Sequence, residues 1–327
     1  MTGTLAHGGR LAEARRRFPT APAPFLDLSS GINPHPYPLP RFPPEAFTRL
    51  PEPEETAALE AAAAAAYGVA DASMVVAAPG TQALIQVLPH LVALRSVAVL
   101  GPTYAEHAHV WRGAGAQVIA ADTLAALATA DGAVLCNPNN PDGRRWPADS
   151  VLAAAPHRLL VADEAFADLD DDGALSLAPL LPRPGVVVLR SFGKTYGLAG
   201  LRLGFALAAP ALATPLRAAL GPWPVSGPAI VAGRVALADT RWRDAMRRRL
   251  RQDAAALDAC LAAAGLAPIG GTSLFRLAAH AQAPALWQQL AQAGILVRRF
   301  AQQPTWLRFG LPGDAEALAR LRAALRR

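Results

Sequence analysis

Lysine is all but missing from this chain of 327 residues: Lys and Arg together number 31, and Lys194 is the one lysine among them. Arg supplies charge where charge is all that is wanted, but it stays protonated and cannot act as a nucleophilic amine. Lysine can lose its proton and form a Schiff base. A lysine kept against that bias makes Lys194 a candidate for amine chemistry, with chance as the plain alternative. Cysteine is scarce too. Cys136 and Cys260 lie far apart without ligand spacing, which excludes a disulfide framework and a cysteine-based zinc site, and no metal is expected. Charged residues make up 17%, a composition that does not favour long disordered stretches. Aromatics are only 6% and do not interleave with the scattered basic groups Arg15–Arg17, Arg144–Arg145, Arg247–Arg249 and Arg298–Arg299. The net charge of +6 therefore does not read as nucleic-acid binding. No uninterrupted run of about 18 apolar residues reads as a membrane span, and no apolar segment follows Arg15–Arg17 as a secretory signal would require. The expectation is a reduced, cytoplasmic, soluble protein with neither membrane nor nucleic-acid partner.

What the chain does hold is apolar residues, 52% of the total, enough for a large core and two domains. Residues 1–44 are Pro-rich and read as an extended arm that joins a smaller domain. Residues 45–230 alternate helical stretches with short apolar runs: Met74–Ala78, Val97–Leu100, Gln117–Ala120, Ala133–Cys136, Leu159–Ala162, Val186–Leu189 and Leu203–Leu207. Such runs are strands buried on both faces of a mostly parallel sheet, and the class is α/β. Residues 231–264 read as one long linking helix. Residues 265–327 read as a small α+β domain.

In an open α/β sheet, ligands sit beyond the carboxyl ends of the strands. The first strand is followed by Pro79-Gly80-Thr81-Gln82, a Gly turn into a helix whose N–H groups suit phosphate; a bland turn is the alternative. After the next come Gly101-Pro-Thr-Tyr104, then Asn137-Pro-Asn-Asn-Pro141, where Asn137 is placed either to offer an amide to a ligand or to build a turn. Asp163-Glu-Ala-Phe166 ends another strand. A carboxylate there can pair with a protonated ring nitrogen or simply cap a helix. Arg190-Ser191-Phe-Gly-Lys194-Thr195 puts the one lysine at a strand end, with Arg202 eight residues on. A P-loop reading of Gly193-Lys194-Thr195 fails, because position 188 is Val where that loop needs Gly, and a strand follows.

Taken in order, Gly80-Thr81-Gln82, Tyr104, the Asn137 segment, Asp163-Glu-Ala-Phe166, Ser191-Phe-Gly-Lys194 and Arg202-Leu-Gly resemble the fold-type-I pyridoxal-phosphate (PLP) enzymes of the class I/II aminotransferase superfamily, over nearly the whole chain. The resemblance implies a large domain with a mostly parallel seven-stranded sheet and a small α+β domain. It implies that Lys194 holds PLP and moves a proton at the substrate α-carbon, and that Asp163 pairs with the ring nitrogen. Tyr104 would stack on the ring, Asn137 would contact the O3′ side, and Gln82 and Phe166 would line the cofactor site. Gly80, Thr81, Ser191 and Arg202 would hold the phosphate. Tyr67 would reach the phosphate of a neighbouring subunit, since active sites in this superfamily lie at a homodimer interface.

Gly294-Ile-Leu-Val-Arg298 and Trp306-Leu-Arg308-Phe-Gly resemble the paired anion-binding arginines of the histidinol-phosphate aminotransferase branch. His7-Gly8-Gly9 and Asp27-Leu-Ser-Ser-Gly31-Ile32-Asn33-Pro34 look like the L-threonine-O-3-phosphate decarboxylases of cobalamin biosynthesis, in which the arm closes over substrate. Phe166 agrees, since many aminotransferases place Tyr three residues after the Asp. PLP labilises whichever α-carbon bond stands perpendicular to its ring; a transaminase points C–H there, a decarboxylase the carboxylate. The expected activity is decarboxylation of a small phosphorylated amino acid, with a histidinol-phosphate-type aminotransferase as the alternative. A downstream cobinamide-forming synthase is a possible partner.

Overall fold

The computed structural model describes residues 8–154, 158–170 and 174–326. Its strands are β1 Leu26–Leu28, β2 Val75–Ala78, β3 Ser96–Leu100, β4 Gln117–Ala121, β5 Gly132–Cys136, β6 Leu159–Asp163, β7 Val186–Arg190, β8 Gly204–Ala208, β9 Pro268–Thr272, β10 Phe275–Ala279, β11 Ile295–Phe300 and β12 Gln303–Gly310. They belong to two compact units.

The larger unit, Pro36–Asn140 with the described part of Arg145–Arg243, holds a seven-stranded sheet in the order β2-β8-β7-β6-β5-β3-β4. β7, β6, β5, β3 and β4 run parallel, and β8 is antiparallel to both its neighbours. β5 to β8 are buried along their whole length, as their unbroken apolar runs require. Leu59, Phe192, Tyr196 and Phe205 pack in one core cluster, and Leu84, Ile85, Leu88 and Trp111 in another. The helix Pro53–Tyr67 starts on a Glu52/Glu55 capping box with Pro53 in its first turn and stops at Gly68, which is left-handed. The parallel register aligns Cys136 with Asp163 and Asp163 with Leu189, so the chemistry-bearing residues gather at one end of the sheet.

The smaller unit comprises the described residues up to His35, Pro141–Arg144 and Asp244 onward. Its five-stranded sheet runs β1-β11-β12-β10-β9, antiparallel except that β1 lies parallel to β11. The N-terminal arm is more ordered than a Pro-rich run suggests: Leu11–Arg17 is a helix and β1 joins the sheet. The single helix expected over 231–264 is instead two, Gly227–Ala238 and Thr240–Ala262. Asp239 leaves helical geometry (φ −85°, ψ 80°), and its Oδ1 accepts the Trp242 N–H at 2.9 Å, ending one helix and capping the next. Among the described residues, no helix is long and apolar enough to cross a membrane.

Candidate active site

In the larger unit, Gly80 precedes the helix Thr81–Leu91 with φ +82°. A Cβ there would come within 2.7 Å of the Arg202 Nη2 and push the guanidinium aside, and the positive φ itself favours glycine. Gly204 is held by a similar squeeze, its missing Cβ lying 2.7 Å from Thr81 N and 3.2 Å from Arg190 O. These close approaches bring the helix start, the end of β7 and the start of β8 together. Arg202 itself is left-handed (φ 53°), a conformation that costs an arginine about 1 kcal/mol and marks functional turns. Its guanidinium meets only the Ala199 carbonyl, at 3.3 Å, among the described residues. Thr81 and Ser191 are buried, and neither hydroxyl has a hydrogen-bond partner among the described residues. The set is a cationic fork, two hydroxyls and a helix N-terminus, which suits a phosphate dianion.

Asp163 ends β6 and is buried. Its Oδ2 lies 2.9 Å from His107 Nε2 and 3.8 Å from Cys136 Sγ, and its Oδ1 accepts the Ala165 N–H at 3.1 Å. Burial would raise the Asp163 pKa, but the His107 hydrogen bond and charge, the Lys194 ammonium and the Ala165 N–H outweigh it and hold the carboxyl below its usual range. Burial would lower His107; the Cys136 sulfur and the Asp163 carboxylate outweigh it and push the imidazole up to about 10. His107 and Cys136 escaped the sequence reading because their link to Asp163 spans 56 and 27 residues. The faint signal was His107 one helical turn after Tyr104. Tyr104 stands edge-on to the His107 ring (centroids 5.8 Å) and donates to Gln82 Oε1 at 3.1 Å, while Gln82 Nε2 donates to Glu106.

Lys194 sits half-buried on the short helix Phe192–Thr195 that follows β7. Its Nζ lies 5.3 Å from the centre of the buried Phe166 ring.

Two expected contacts need correction. Asn137 is not turned to a ligand: its Nδ2 donates to Trp146 O (2.8 Å) and Leu175 O (3.3 Å), and its Oδ1 accepts from Trp146 N. Both amide hydrogens are spent on backbone, so Asn137 builds the turn. In the same loop Asn139 is buried and bonded to Pro102 O and Thr103, and Asn140 is the half-buried asparagine. Tyr67 likewise does not face outward. It closes its helix inside the core, edge-on to Phe205 with Arg190 5.1 Å from its ring centre, and its hydroxyl is buried.

In the smaller unit, Arg298 on β11 and Arg308 on β12 are direct cross-strand partners. Arg308 is buried over the Phe275 ring (4.8 Å) and donates to Ser29 O at 3.0 Å. Burial and the Arg298 charge both push its pKa down. Two like charges held opposite each other on a sheet are destabilising by themselves and gain from an anion laid against them. Ser29 Oγ donates to Asp27 Oδ1 at 2.5 Å and accepts the Gly9 N–H at 2.8 Å, so Gly8 and Gly9 pack against the turn that holds Ser29. Gly31 and Asn33 are buried and Ile32 half-buried; Asn33 Oδ1 accepts the His35 N–H. His7 lies outside the described residues.

The profile of the aminotransferase class I and II family matches residues 42–325. The threonine-phosphate decarboxylase of Pseudomonas aeruginosa is 45% identical over 98% of this chain and 97% of its own. A threonine-phosphate decarboxylase from a Sinorhizobium species is 43% identical over 100% and 99%. Among solved structures, the histidinol-phosphate aminotransferase of Sinorhizobium meliloti in complex with pyridoxal-5′-phosphate superposes with a TM-score of 0.84 at 23% identity, over 99% of this chain and 96% of that one.

Proposed function

The chain belongs to the aminotransferase class I and II family, and from that premise we propose that it decarboxylates L-threonine O-3-phosphate, with PLP as cofactor, to (R)-1-amino-2-propanol O-2-phosphate and CO₂. The observation that carries this is the 43–45% identity, over nearly the full length, to proteins named threonine-phosphate decarboxylase.

The residues fit the cofactor. The space a Cβ at Gly80 would fill is the space beside the Arg202 fork, and Thr81, Ser191 and the helix N-terminus complete a phosphate cradle. Bound PLP supplies an electron sink for a bond at the substrate α-carbon. Asp163, kept ionised by His107, holds a proton on the ring nitrogen. Lys194 would hold the cofactor carbonyl and deliver the proton that takes the place of the departing CO₂ at the α-carbon. Tyr104 and Phe166 line the ring, with Gln82 orienting Tyr104. The O3′ contact passes from Asn137, whose amide is spent, to the half-buried Asn140. Arg298 and Arg308 take the anionic groups of the substrate, and the Gly8 and Gly31-Ile32-Asn33 turns shape the same small unit around Ser29; His7 belongs to this arm.

The homodimer is part of the same proposal. Leu39, Phe47 and Leu50 are 55%, 68% and 61% exposed in the larger unit, large apolar side chains that a second copy would cover. A cytoplasmic location and delivery of the amino alcohol phosphate to a cobinamide-forming synthase complete the reading. Its test is release of CO₂ from O-phospho-L-threonine with PLP and no keto acid, with Lys194→Ala as the blank.

A further inference from the structure

We propose that Asp168 and Thr195 are positioning residues that set the Lys194 amine through the turn that carries it. This rests on the reading of Lys194 as the lysine that holds PLP. The helix Phe192–Thr195 is a single turn of four residues, far too short to hold itself. Its last residue is tied down from below: the buried Thr195 donates its hydroxyl to Asp168 Oδ2 at 2.8 Å. The other oxygen of Asp168 accepts from the buried Arg190 guanidinium. Arg190 Nη2 also lies 2.9 Å from Glu164 Oε2 and donates to Ser176 Oγ at 2.6 Å. Glu164 in turn accepts from Ser176 Oγ (2.8 Å) and Leu177 N (2.7 Å).

Each end of this buried network is the chain neighbour of a residue assigned to the chemistry. Glu164 follows Asp163, Arg190 precedes Ser191, and Thr195 follows Lys194. The network thus ties the ring-nitrogen partner, a phosphate hydroxyl and the amine to one buried ionic cluster, and the Thr195 hydroxyl bond joins that cluster to the lysine turn. Removing Arg190, Asp168 or Glu164 would strand a buried charge and endanger the fold. Thr195 offers the clean cut, since valine keeps the shape and deletes only the hydroxyl.

The experiment compares wild type, Thr195→Val and Thr195→Ser, each loaded with PLP. The readouts are the visible absorbance of the bound cofactor against pH, borohydride trapping of cofactor on the Lys194 peptide, and steady-state kinetics. Thr195→Val is expected to load PLP, to move the pH of the absorbance transition by about half a unit or more, and to lose about tenfold in kcat with little change in KM. Thr195→Ser is expected to restore both. If valine is not accommodated, Thr195→Ala gives the same comparison. A variant without the hydroxyl that titrates and turns over like wild type would overturn the positioning role while leaving the PLP reading intact. A wild type that traps no cofactor on Lys194 would overturn both.

Discussion

Lys194 stands out in the sequence because composition isolates it, one lysine among thirty arginines at a strand end, and the structure sets it half-buried on the short helix after β7. The side chains that surround Asp163 were not legible. His107 reaches Asp163 only because the chain leaving β3 and the end of β6 meet at the same end of the sheet, and no local pattern encodes that contact. Asn137 shows the opposite failure. Its Asn-Pro context marks a turn, but local sequence does not say that the amide faces Trp146 O rather than a ligand. Three consequences belong at this scale. Arg202→Gln should weaken PLP binding by about tenfold or more, as lost charge-assisted contacts do, in a cofactor titration of the stripped protein. Arg308→Gln should raise KM for O-phospho-L-threonine by about tenfold or more while the bound cofactor keeps its absorbance. His107 is raised from 6.5 to about 10, so its contribution to stability is full below about 6.5 and is lost as pH rises through 10. Asp163 is lowered from 3.8, so its share is present above that value and is lost as pH falls through the depressed pKa. The urea midpoint of the cofactor-free protein should fall between pH 7 and 10, and His107→Gln should flatten that slope.

At the scale of elements, the runs of the large sheet inside its edge strand β4 were readable because a strand buried on both faces is apolar at nearly every position. β1 was not, since its three residues pair with β11 nearly the whole chain away, Leu26 against Ile295. The break at Asp239 was missed because the helical composition continues across it; only the capping geometry reveals two helices. Asp239→Ala should therefore cost about 1 kcal/mol or more, the usual loss of a helix cap together with the Tyr37 hydroxyl that donates to Oδ2 at 3.1 Å, read as a lower urea midpoint. An unchanged midpoint would mean that the cap contributes nothing there. β11 and β12 bring Arg298 and Arg308 together at one register position, which two short motifs in the sequence suggested without their facing geometry.

At the scale of the whole molecule, family membership and overall class follow from the order of the motifs, but assembly does not. Tyr67 was expected to reach across to a partner and is instead core. The exposed Leu39, Phe47 and Leu50 are the surface that the homodimer proposal now rests on. The double variant Phe47→Asp, Leu50→Asp should sediment as a monomer where the wild type sediments as a dimer; two dimers of equal stability would move the interface elsewhere.

The central claim is the choice of bond broken at the substrate α-carbon. It is tested most directly by supplying the PLP-loaded protein with O-phospho-L-threonine and no keto acid, beside Lys194→Ala. Release of CO₂ and 1-amino-2-propanol O-2-phosphate by the wild type alone is the predicted result. No release, with amino transfer between histidinol phosphate and 2-oxoglutarate in its place, would contradict it and make the chain an aminotransferase.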